Sequence, residues 1–139
     1  MEYRKFDKQV IVRLDSGEEL VAKLKSVVRK ENIKCASVTA LGAVENFSVS
    51  VYDVDKKAYR SNDFVGRFEI CSLTGTITEM DGEPYFHLHM SAGREDGSVI
   101  GGHLTHATVN PTCEIVIQII DGTVTRVFDE VTGLNIIKF

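Results

Sequence analysis

The hydrophobic pattern of the chain changes period early. Residues 9–14, QVIVRL, read as a short strand. The stretch DSGEELVAKLKSVVRKENI that follows puts Leu20, Val21, Leu24, Val27 and Val28 on one stripe at helical spacing. Ser16 with Glu19 three residues on fits a capping box, which predicts the helix start. No later segment keeps that period, so one principal helix is expected.

The remainder reads as strand. KCASVTAL, a break at Gly42, and AVENFSVSVYDV come first, and in the last of these Phe47, Val49 and Val51 alternate with Asn46, Ser48 and Ser50. The polar knot DVDKK turns the chain back into AYRSND. RFEICSLTGTITEM, EPYFHLHMSA, SVIGGHLTHA, CEIVIQIID, TVTRVFDEV and LNIIKF complete the series. Asp81-Gly82 between alternating runs is a hairpin signal, because both central residues of a type I′ turn need positive φ. There is no repeat and no linker. The pattern predicts an α+β fold, a single compact domain over residues 1–139, with a mostly antiparallel β-sheet and the one helix packed against it.

Composition narrows the function classes. At 139 residues the chain can bury roughly two thirds of its unfolded surface, so it needs neither disulfide nor metal merely to fold. The start MEYRKFDKQV lacks a signal-peptide core and no apolar run approaches the ~20 residues of a membrane span, so a cytoplasmic location is expected. Cys35, Cys71 and Cys113 each sit in an apolar run and read as buried reduced thiols. A net charge of −4 disfavours direct, sequence-independent DNA binding, which rests on Lys and Arg neutralising phosphates.

All four histidines fall between Pro84 and His106, in PYFHLHMSAGREDGSVIGGHLTH. Side chains two apart on a strand share a face, so His87 and His89 point together and Leu88 points away. A three-residue loop of Glu95, Asp96 and Gly97 pairs Arg94 with Ser98, and counting outward puts His89 opposite His103, His87 opposite Thr105 and Ser91 opposite Gly101. A two-residue Asp-Gly turn instead shifts the pairing by one and sets Leu104 opposite His89. In the first register His87, His89 and His103 share a face, with Gly101 and Gly102 as clearance for a ligand, and His106 falls outside. Three neutral imidazoles suit Zn²⁺ or a similar divalent ion with a fourth position open.

GRFEIC from Gly66 to Cys71, then SLTGTI, HLHMSAGREDGSVIGGHL and the C-terminal FDEVTGLNIIKF together resemble the PPC family, the plants and prokaryotes conserved domain, in its stand-alone prokaryotic form. The resemblance implies a homotrimer with the histidines near the subunit interface. It matches His87, His89 and His103 to the family's metal-binding histidines. Gly66, Arg67, Phe68, Glu69 and Ile70 match its hexapeptide, whose usual final Leu is Cys71 here. Plant members carry AT-hooks that read DNA; no Arg-Gly-Arg-Pro core exists in this chain, although prokaryotic members are commonly labelled DNA-binding. The three-His arrangement is more distantly similar to the zinc site of acetolactate decarboxylase.

Two functions follow as expectations. The first is a homotrimeric, zinc-binding module with a regulatory or assembly role and protein partners. The alternative is a small zinc-dependent lyase or hydrolase acting on an oxo-acid or ester, with Glu69 as base and Arg67 as the cation that holds an acidic substrate, the two lying on one strand face.

Overall fold

The computed structural model describes all 139 residues, Met1 to Phe139. In chain order the elements are β1 (Glu2–Phe6), β2 (Gln9–Asp15), α1 (Leu20–Lys30), β3 (Ala36–Asp53), β4 (Ala58–Met80), β5 (Glu83–Gly93), β6 (Val99–Ile119), β7 (Thr125–Asp129) and β8 (Leu134–Lys138). All the strands belong to one sheet. Its pairings are antiparallel except for a single parallel bridge, Glu79 to Thr125, that joins β7 to β4. Both β3 and β5 pair with β4 and with β6, so these four strands close on themselves. The β1–β2 hairpin extends the sheet along the C-terminal half of β6, and the β7–β8 hairpin hangs from β4.

The helical stripe is the buried face. Leu20, Val21, Leu24, Val27 and Val28 all enter the core, and α1 packs across β6 and β5. Each such side chain contributes about 1.5–3 kcal/mol on burial, which is what holds an 11-residue helix that would not persist alone. No helix is long and apolar enough to cross a membrane.

The helix start differs from the capping-box expectation. Glu19, not Ser16, is the N-cap: its carboxylate accepts from the Val21 and Ala22 amides at 3.1 and 2.5 Å. Gly17, at φ +83°, donates its amide to Val109 O, and the Glu18 carboxylate accepts from the Asp15 amide. The chain is thus pinned to β6 before the helix begins, and Glu19 is the residue left facing the first turn. It also accepts from the Ala107 amide at 3.1 Å, so the cap ties α1 to β6.

Gly42 does not break the strand. β3 runs through it, with register shifts around Gly42 and Glu45. A Cβ at Gly42 would lie 2.4 Å from Thr112 O, so the glycine serves a close approach of β3 to β6. Beyond the second shift Phe47 and Val49 are buried as expected, but Val51 is exposed and Ser50 is buried. The register against β6 shifts again between Ser48 and Val49, which interrupts the simple alternation, and beyond it Ser50 pairs with His103.

Candidate metal centre

Two turns set the site. Asp81 (φ +53°) and Gly82 (φ +81°) make the β4–β5 turn with both residues at positive φ. The β5–β6 loop is the three-residue form: Gly97 has φ +80°, its amide donates to Arg94 O, and the Arg94 amide donates to Ser98 O, each at 2.9 Å. His89 therefore pairs with His103, and Ser91 with Gly101. The β5–β6 ladder stops there. Beyond His103 strand β6 leaves β5 for β3, and Thr105 donates to Ser48 O at 3.1 Å instead of standing opposite His87. Leu88, between the two histidines of β5, is in the core, which turns His87 and His89 to the opposite face.

The three rings meet on that face. Their centroids are 5.1, 5.3 and 5.6 Å apart, and one nitrogen from each lies within 4.8 Å of the others. His87 Nε2 and His89 Nε2 are 3.2 Å apart. Donors about 2.0–2.1 Å from a tetrahedral ion stand about 3.4 Å from each other, so this pair already has the required spacing. Burial holds the His87 imidazole below its usual range, with the charges of His89 and Arg126 adding to it. The same applies to His103, with His87 and His89 adding. Both rings therefore stay neutral near pH 7, with lone pairs to offer. His103 Nδ1 is buried with no hydrogen-bond partner, a ring nitrogen whose partner the protein does not supply. An orphaned ring nitrogen within a cluster of three converging imidazoles fits a divalent ion.

The other singled-out residues lie elsewhere. His106 turns to the helix cap, with Nε2 3.3 Å from both Asn46 Oδ1 and Thr108 Oγ1 and Nδ1 3.5 Å from Glu19 Oε1. Glu69 and Arg67 are not brought to the imidazoles. They line a separate cleft of about 510 Å³ together with Glu45, Arg94 and Glu95. Glu69 pairs with Gly93, four residues along β5 from His89, or about 13 Å at the rise of an extended strand. Gly101 does not act as clearance for a ligand, whereas Gly102 lines the pocket beside the histidines; a Cβ would lie 2.4 Å from Met90 O in the first and 2.7 Å from Ser50 O in the second. They are required by the close approach of β5 and β3 to β6. Cys35 and Cys113 are buried, and burial pushes the Cys113 thiol up to about 12. Cys71, expected inside, is exposed, because a register shift between Ile70 and Ser72 changes the parity of β4.

Sequence reasoning missed the rest of the pocket. The imidazoles open into a cavity of about 600 Å³ whose far wall comes from β7 and β8. Arg126 is the cation of that wall. Its Nε donates to Thr78 Oγ1 at 2.9 Å and its Nη1 to Asn135 O at 2.7 Å, and the guanidinium lies 4.7 Å from the Tyr85 ring centre. Thr76 and Thr78 pair with His87 and Tyr85 across β4 and β5, so the alternating TGTIT run was the available signal. The Tyr59 ring lies against His103 at 5.1 Å, and burial raises its phenol above the usual range.

Residues 1–121 match the family described as the Plants and Prokaryotes Conserved (PCC) domain. A solved structure from Bacteroides thetaiotaomicron, provisionally labelled a DNA-binding protein, shares 31% identity over 99% of this chain and 96% of its own, with a TM-score of 0.96. A protein from Archaeoglobus fulgidus described as metal-containing shares 34% identity over 97% of this chain and 95% of its own, with a TM-score of 0.88. Acetolactate decarboxylase from Bacillus subtilis subspecies spizizenii shares the fold alone, at 14% identity over 84% of this chain and 54% of its own, with a TM-score of 0.59. A comparison with curated proteins found no match.

Proposed function

The chain belongs to the Plants and Prokaryotes Conserved domain family, and from that premise we propose that it is a divalent-metal-binding member, with zinc held by His87, His89 and His103. One observation carries the reading: three ring nitrogens within 4.8 Å of one another, two of the rings kept neutral by burial. The metal-containing relative at 34% identity supports it. A bound ion supplies a Lewis-acidic point with an open coordination position.

The role is binding and assembly in preference to turnover. The protein groups expected to act as base and substrate-holding cation, Glu69 and Arg67, line a different cleft. Tyr59, whose ring lies against His103, is held protonated. The domain works as a homotrimer, a reading supported by large apolar side chains left on the surface of β3 and β4, with Leu41 59% and Val65 87% exposed. Direct DNA binding, the label borne by the Bacteroides relative, is not part of the proposal, since the chain carries a net charge of −4.

Elemental analysis of the purified protein alongside light scattering tests both parts. One zinc per chain in a particle of three chains is expected. Metal-free protein that cannot be loaded with zinc contradicts the first part, and a monomer at micromolar concentration contradicts the second.

A further inference from the structure

The pocket wall around the histidines carries no acidic residue. Neutral imidazoles leave the charge of a bound divalent ion uncompensated, and Arg126 adds another positive charge to the same cavity. That much like charge gathered in one partly enclosed cavity favours a counter-ion. The pocket's charge therefore suits an anion.

Its size and shape follow from what remains free. Arg126 has five N–H groups. One goes to Thr78 and one to Asn135 O, and a third reaches Thr76 Oγ1 at 3.5 Å, which leaves two to offer the cavity. Thr76 pairs with His87, so the guanidinium stands one strand away from the imidazole cluster. Two donors match the two oxygens of a carboxylate. Beyond the cation the lining turns apolar with Val51, Leu134, Ile136 and Ile137. A cavity of about 600 Å³ is within the range that encloses a small organic ligand.

We propose that this pocket is a receptor for a small carboxylate with an apolar tail. Its head is anchored by the Arg126 guanidinium beside the histidine centre, and its tail lies against Ile136 and Ile137 of the C-terminal hairpin. The proposal rests on the metal reading in one respect, that the ion supplies the second positive point. Arg126 and the β8 residues that line the pocket lie on the C-terminal hairpin, beyond residue 121 where the family model ends.

The test is calorimetric titration of the zinc-loaded protein with butyrate, its neutral isostere butyramide and inorganic phosphate, for the wild type, Arg126→Gln and Arg126→Lys, with zinc content measured on every sample. Butyrate is expected to bind the wild type, butyramide to bind at least about tenfold more weakly, and Arg126→Gln to lose about tenfold or more, the scale of a charge-assisted hydrogen bond. Zinc content should stay unchanged in both variants, since the guanidinium is no ligand. Arg126→Lys keeps the charge without the fork and should fall between the two. If Arg126→Gln fails to fold, the wild type and Arg126→Lys with the two isosteres decide. Equal binding of butyrate and butyramide, no butyrate binding up to about 10 mM, tighter binding of phosphate, or an undiminished response in Arg126→Gln overturns the proposal while leaving the metal reading intact. A wild type that takes up no zinc ends the metal reading instead. The carboxylate proposal is then decided on the metal-free protein, where Arg126-dependent butyrate binding upholds it and its absence overturns it.

Discussion

Gly75 of β4 offers a way to move a histidine without touching one. A Cβ at this position would lie 2.2 Å from His87 O and 2.9 Å from Leu88 Cα. Both are backbone atoms of β5, so even if the Leu88 side chain, with Cδ2 at 2.7 Å, swings aside, the clash remains. Ordinary contact begins near 3.4 Å, and Gly75→Ala therefore has to push β5 at His87 away by about 1.2 Å, the difference between those two separations. Overpacking of this kind costs about 1–3 kcal/mol, and a backbone clash belongs at the upper end. His87 Nε2 moves with its backbone, out of the 3.2 Å spacing with His89 Nε2. A displaced ligand of that kind is expected to weaken zinc by about 10–100-fold, the scale found when the support of a ligand is removed. Gly82→Ala is the control. That site has φ +81° and nothing within 4 Å of a Cβ, so it should cost about 1 kcal/mol in backbone strain and leave zinc affinity unchanged. Urea unfolding combined with zinc competition against a chromophoric chelator reads both quantities. Zinc affinity unaltered in Gly75→Ala, or reduced equally in Gly82→Ala, would refute the reasoning.

Glu19→Ala removes the helix cap and its tie to Ala107, and should cost about 2–4 kcal/mol in urea unfolding; a loss under about 0.5 kcal/mol would show that water replaces it fully. The folded-state values of His87 and His103 lie below the unfolded value of 6.5, so the unfolded chain takes up protons first as the pH falls. Their contribution is thus complete above about pH 6.5 and is lost as the pH drops from there, which thermal melts of the metal-free protein between pH 8 and pH 5 should show; a flat profile, or one with the same slope in His87→Ala, contradicts it. Under native conditions a thiol reagent should label Cys71 and spare Cys35 and Cys113, and labelling of Cys113 without unfolding would contradict its burial.

What the sequence made legible was local. The Asp81-Gly82 turn and the Glu95–Gly97 loop are set by their own residues, and with strand parity they were enough to bring His89 opposite His103. The helical stripe was equally self-contained. The failures came from contacts between distant segments. Glu19 caps the helix because Gly17 and Glu18 are already engaged and because it reaches Ala107 on β6. Gly42 and Gly101 looked like a break and a clearance, yet both answer to the backbone of a neighbouring strand. Cys71 was misplaced by one register shift that no local pattern announces. Arg126 was invisible for a related reason: β7 meets β4 through one bridge, so nothing near residue 126 reveals that it returns to the histidines.

The central claim is that three particular histidines hold one ion, and zinc content across the four His→Ala variants tests it most directly. One zinc per chain is expected in the wild type and in His106→Ala, whose imidazole faces the helix cap, with loss of zinc in His87→Ala, His89→Ala and His103→Ala. Retention of stoichiometric zinc in any of those three, or its loss only in His106→Ala, would contradict the account.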